Sequence, residues 1–211
     1  MTNIKHKHLL AVAAGVFGLW AMSASATVIF TLGNHPQTNE NNILFQSPQT
    51  GNLINGQVDH SGVVVNFLST QTLVQNAQGQ ASINGFQGAE LTNIMVTVPG
   101  FTFGDFIMNL QNGHGLATVT VNSTGGGIFS YVLGSGQNFL TIVDTLDSIM
   151  SVSVQMAAGG GFDTFKQPRI SNVCNERGCV PVEQQVPEPT TLMLLSIGLL
   201  GMARVARRRK L

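Results

Sequence analysis

The stretch IMSVSVQM, residues 149–156, alternates without a break: Met150, Val152, Val154 and Met156 fall on one face, Ser151, Ser153 and Gln155 on the other. A period of two is the mark of a strand with one face against a core. Moving outward from it, the same texture recurs in short runs rich in β-branched and aromatic residues. They read TVIFTL (27–32), NILF (42–45), GVVVNFL (62–68), NIMVTV (93–98), FTFGDFIM (101–108), ATVTV (117–121), GIFSYVL (127–133) and NFLTIV (138–143). Turn chemistry separates them: Gly51-Asn52, Asn55-Gly56, Ser61-Gly62, Asn84-Gly85, Pro99-Gly100, Asn112-Gly113, and the glycine clusters at 125–127, 134–136 and 159–161. Residues 27–172 contain no amphipathic helical window and no repeat of fixed period. Strand runs punctuated by turns at roughly ten-residue spacing predict an all-β fold, an antiparallel β-sandwich or jelly-roll-like domain.

Both ends of the chain have a different character. Lys5 and Lys7 precede the apolar run LLAVAAGVFGLWAM (9–22), and small residues follow up to Ala24-Ser25-Ala26. A basic start, an apolar run of this length and an Ala-x-Ala site make residues 1–26 a secretory signal peptide, with cleavage directed by Ala24 and Ala26. At the other end, residues 190–203 carry no charge, and Arg204, Arg207, Arg208, Arg209 and Lys210 follow. As a helix the uncharged stretch is about 21 Å long, short against a hydrocarbon core of about 30 Å. Flanking Arg side chains can reach the headgroups, so a short span is feasible. The basic cluster then belongs on the cytoplasmic side and the domain outside.

Charge follows the same division. Residues 27–189 hold ten carboxylates and three bases, a net charge of −7. A dispersed acidic surface repels phosphate backbones, which excludes nucleic acid as a partner.

Ahead of the span stands Pro187-Glu188-Pro189. The two prolines hold this segment extended, a shape open to a processing enzyme. Val-Pro-Glu-Pro, a short apolar helix with Ser196, Gly198 and Gly201, and then an Arg cluster resemble the PEP-CTERM sorting signal. This resemblance implies an exosortase substrate of a Gram-negative bacterium. The chain would be exported by Sec-type machinery, tethered transiently in the inner membrane by residues 187–211, and released to the cell surface or the extracellular biofilm matrix. The stretches GGFDTFKQPRISN (160–172) and GNHPQTNENNILF (33–45) are similar to closing and opening segments of a β-sandwich common among such proteins. In the closing stretch Phe162, Phe165 and Ile170 suit a core, and Asp163 is placed to pair with Lys166 or Arg169.

Residues 173–186 have a linker's composition. Cys174 and Cys179, the two cysteines of the chain, are expected to pair after export and close a small loop. A metal site there would lack ligands, since no His lies near.

No nucleophile elbow, zinc-binding helix motif or phosphate loop is present, and no cofactor is expected. His35, His60 and His114 sit among turn residues, and Asp144 and Asp147 bracket a turn. The chain therefore reads as a non-catalytic protein, with two functions open: a structural component of a polysaccharide matrix, or a carbohydrate-binding module. A secreted polysaccharide hydrolase is a third reading. Trp20 lies in the signal peptide and Tyr131 is the single Tyr. A stacking-based sugar site would depend on Tyr131, which the alternation of GIFSYVL puts on the same face as Phe129 and Leu133.

Overall fold

The computed structural model describes residues 27–136 and 139–179. Residues 1–26, where a signal peptide is expected, the chain beyond Cys179, and with them Ala24, Ala26, Pro187, Glu188, Pro189, Arg204, Arg207, Arg208 and Arg209, lie outside the described residues. Strands in chain order begin with β1 (Val28–Leu32), β2 (Asn41–Phe45), β3 (Gln49–Val58), β4 (Val64–Gln75), β5 (Gly79–Gln80) and β6 (Ser82–Gly85). There follow β7 (Asn93–Thr97), β8 (Asp105–Gln111), β9 (Ala117–Ser123), β10 (Ile128–Leu133) and β11 (Phe139–Asp144). The last are β12 (Ile149–Met156), β13 (Thr164–Ser171), β14 (Cys174–Asn175) and β15 (Gly178–Cys179). The fold is all-β, and the pairings in it are antiparallel.

One sheet path runs β1-β11-β8-β13-β2-β3-β4-β7-β12-β9-β10. It turns back on itself because two strands change partners midway. The first part of β4 pairs with β7, and its end pairs with β6. The start of β13 pairs with β6, and its end pairs with β2. A break in register between Lys166 and Arg169, at Gln167-Pro168, lets β13 make this switch. Pro168 has no N–H to give a ladder, so it fits where pairing is interrupted. Strands β13, β2, β3, β4 and β6 thus form a closed ring, and β1 and β10, the two ends of the path, come together. Phe30 of β1 stacks on Tyr131 of β10 with ring centroids 5.4 Å apart.

A single apolar core fills the space inside. Phe45, Phe67, Phe103, Phe106, Phe162 and Phe165 are among its fully buried side chains. Phe45, Phe67, Phe165 and Phe106 form a chain of ring contacts through its centre. Each of the nine apolar runs contributes residues to a strand.

Three local expectations are corrected. Gly51-Asn52 and Asn55-Gly56 are not turns but lie inside the ten-residue strand β3. Gly56 is there for packing: a Cβ on it would sit 2.6 Å from Ile43 Cγ2 and 3.3 Å from Phe67 Cε2. In β12 a bulge between Ile149 and Ser151 breaks the strict alternation. It turns Ile149 into the core and leaves Met150 44 % exposed, while Val152, Val154 and Met156 face inward as the pattern requires. Asp163 pairs with neither base; its carboxylate accepts from Asn112 Nδ2 at 2.7 Å.

Candidate functional site

Strand alternation sorts the six strands β3, β4, β7, β12, β9 and β10 into a core-facing and an outward side. Outward, Leu53, Leu68, Met95, Ser153, Thr120 and Ser130 lie in register across all six. The adjacent row is Asn55, Asn66, Thr97, Ser151, Asn122 and Ile128. A third row, Asn93, Gln155, Thr118 and Val132, crosses the last four strands of this path. No charged residue belongs to these rows. Their amides and hydroxyls are tied to each other: Asn122 Nδ2 donates to Ser151 Oγ at 2.7 Å and Asn93 Nδ2 to Thr70 Oγ1 at 2.6 Å. Such cross-strand bonds fix side-chain geometry at modest individual strength. Between them lies a groove of about 350 Å³, lined among others by Leu68, Thr70, Met95, Ser153 and Gln155. An apolar floor with uncharged donors and acceptors at its sides can hold a neutral ligand.

The opposite side of the molecule is electrostatically richer. The outward side chains of β8 and its neighbours include Asp105, Ile107, Thr141 and Ser171, and all four are buried. Residues 33–40 act as a strap over this part of the sheet. The amide of His35 donates to Thr141 Oγ1 at 3.1 Å, and that hydroxyl donates to the Gly33 carbonyl at 3.0 Å. The strap's far end is held by Arg169 of β13, whose guanidinium meets the Glu40 carboxylate at 2.6 Å and also donates to Asn34 Oδ1. Both ionic side chains are largely covered, with Glu40 7 % and Arg169 19 % exposed. Nearby, Asp105 takes a hydrogen bond from Ser171 Oγ on one carboxylate oxygen. Its other oxygen, Oδ1, is buried without a partner among the described residues. Burial pushes its pKa up to about 6; the Ser171 hydroxyl opposes this and the Glu40 charge adds to it.

The remaining candidate residues are not brought together. The His60 ring lies 3.4 Å from Asp59 and the His114 ring 3.6 Å from Glu90, both at exposed turns. His35 sits in the strap with its ring against the Leu32 carbonyl. Asp144 caps the turn after β11, accepting from the amides of Leu146 and Asp147 at 3.3 and 3.0 Å and from Ser123 Oγ at 2.6 Å. Among the described residues no group of three His, Cys, Asp or Glu side chains could hold a metal ion. Nor is any described helix long and apolar enough to cross a membrane. Tyr131 faces the core beside Phe30 and contributes nothing to the outward rows.

Cys174 and Cys179 are joined by a disulfide that closes the β14–β15 hairpin. The hairpin is docked on the domain: Val173 is buried, and Cys174 exchanges two backbone hydrogen bonds of 2.8 Å with Thr102.

The chain is thus an antiparallel all-β domain followed, outside the described residues, by a sorting segment. The family model described as the PEP-CTERM protein-sorting motif matches residues 185–210. The chain carries this motif at its C-terminus, and the motif implies exosortase processing together with export and cell-surface sorting. No curated protein sequence matches the chain. Among solved structures, a mutant of a family 29 carbohydrate-binding module is a distant match. It has 14 % identity and a TM-score of 0.28, covering 69 % of this chain and 89 % of that one.

Proposed function

We propose that the protein is a non-catalytic component of the cell surface or of the extracellular polysaccharide matrix. Its all-β body, which we read as a jelly-roll-like sandwich, would be delivered through a transient inner-membrane tether. The PEP-CTERM motif at residues 185–210 is the observation that carries this reading. In the exported part the role is structural: a body with a large core and an acidic net charge.

A second reading is favoured by the outward rows on β3 to β10. A neutral polysaccharide offers hydroxyls and weakly apolar ring faces, and the groove around Met95 and Ser153 offers uncharged partners for both. Under this reading the domain is a carbohydrate-binding module that works through amides and hydroxyls rather than stacked aromatic rings. The two separate on one substitution. Ser153→Lys puts a long charged side chain into the groove without touching the core. Retention of the exported variant in the matrix fraction, measured against the parent, decides between them. Unchanged retention fits the structural role; release into the medium with an intact fold fits the binding module. Loss of the protein from both fractions in a host with active exosortase would count against surface delivery itself.

A further inference from the structure

The edge strand β10 has the pattern of a surface made to pair with its own copy. Sheet edges are normally blunted by charge, proline or bulges, because their free N–H and C=O groups recruit further strands. β10, with sequence IFSYVL, has none of these. Among the described residues it pairs with β9 alone, in unbroken register. Ile128 and Val132 on its outward face are 72 % and 55 % exposed.

The direction of its free groups follows from the β9–β10 turn. Ser123 N donates to the Gly127 carbonyl at 3.0 Å, which makes Ser123 and Gly127 a hydrogen-bonded pair. Hydrogen-bonded pairs recur at every second residue of an antiparallel ladder. Phe129, Tyr131 and Leu133 therefore bond to β9, and the backbone groups of Ile128, Ser130 and Val132 point to the open edge.

The residue order is symmetric about Ser130. Two antiparallel copies centred there set Ser130 opposite Ser130, Ile128 opposite Val132, and Phe129 opposite Tyr131. The first two kinds of pair use the outward-pointing backbone groups. The third falls at the closer, non-hydrogen-bonded spacing, where aromatic side chains pack well. The residues next to the strand are small, with Gly125, Gly126 and Gly127 before it and Gly134, Ser135 and Gly136 after it, so they put no bulky side chain beside a second copy. We infer that the protein forms a two-fold dimer by antiparallel pairing of β10 with β10, joining the two sheets into one. The edge at β1, VIFTL, has no such symmetry: the same operation about Phe30 sets Ile29 against Thr31. This inference is independent of whether the outward rows bind sugar.

The exported, processed protein from its native host tests it. Ser130→Cys should give a disulfide-linked dimer on mild oxidation, since the two substituted positions face each other across the axis. Ile128→Cys should not, because it faces Val132 of the other copy. Ser130→Lys places two ammonium groups on the axis, and it should abolish the concentration-dependent rise in sedimentation coefficient of the parent with no change in circular dichroism. Thr31→Lys on β1 should leave that rise intact. A parent that sediments as a monomer at every concentration overturns the inference, as do cross-linking of Ile128→Cys as efficient as that of Ser130→Cys, and a dimer lost with Thr31→Lys but kept with Ser130→Lys. If an added thiol disturbs the Cys174–Cys179 bridge, the two lysine variants decide the matter alone.

Discussion

Asp105 is the most perturbed titratable group of the described domain, and its consequence is a pH dependence of stability. Its pKa is raised from 3.8 to about 6 in the fold. Between these values the folded chain holds a proton that the unfolded chain has released, so stability falls as pH rises from about 4 through about 6. The loss is on the order of 2–3 kcal/mol. Asp105→Asn should remove that slope: denaturant melts of parent and variant at pH 4, 5, 6 and 7 should diverge by this amount across the series, and parallel curves would refute it. Gly56 makes a second residue-scale prediction. Alanine there meets Ile43 and Phe67 at distances that require the core to shift. It should destabilise by about 1–3 kcal/mol through overpacking, read as a lower denaturation midpoint. Tyr131 is partly buried against the core: Tyr131→Phe should cost on the order of 1 kcal/mol or less, and Tyr131→Ala more than that, though below the roughly 3–5 kcal/mol of a fully buried aromatic ring. The inward side of Tyr131 was legible from alternation alone. The role of Asp105 was not, although a single carboxylate inside the apolar run FTFGDFIM was a usable signal. What raises its pKa is burial in the folded sheet and a neighbour, Glu40, that the chain brings near only after folding.

At the scale of elements, the strap and β13 depend on each other. Arg169 and Glu40 come from the two stretches whose sequences resemble closing and opening segments of one sandwich, and they meet in a largely dry ion pair. Removing one member leaves the other charge uncompensated, which costs about 3–5 kcal/mol for a fully buried pair and less here. Arg169→Ala should therefore lower stability more than Lys166→Ala, its half-exposed neighbour on β13, and should expose residues 33–40 to limited proteolysis. Equal effects in the two variants would contradict the strap. The nine apolar runs were legible because period-two patterns survive in any tertiary context. Strands β3 and β6 were not. Their Asn, Gln and Gly residues have turn chemistry locally, and only packing against Ile43, Phe67 and Leu73 makes them strands. The clasp at Cys174 and Cys179 was visible from spacing and compartment, whereas its docking on Thr102 depends on a backbone contact that no side-chain pattern encodes.

For the molecule as a whole, delivery is the testable property. Intact-mass analysis of protein exported by its native host should show loss of Arg204, Arg207, Arg208, Arg209 and Lys210, and with them five positive charges. A mature chain still ending in Leu211 would refute processing. In a host without exosortase, the precursor should stay in the membrane fraction with the domain accessible to added protease from the periplasmic side. The sheet topology bears on this route in another way. β1 and β2 come early in the chain, yet their partners Asp144 and Ile170 follow Val28 and Asn41 by 116 and 129 positions. Contacts this remote in sequence make closure slow, on the millisecond-to-second scale for all-β domains. Neither the ring nor the joined ends can form until almost the whole domain has emerged from the machinery that makes it. A chain with this topology stays threadable: an export channel would receive it as an open polymer, and its architecture would complete itself on the far side.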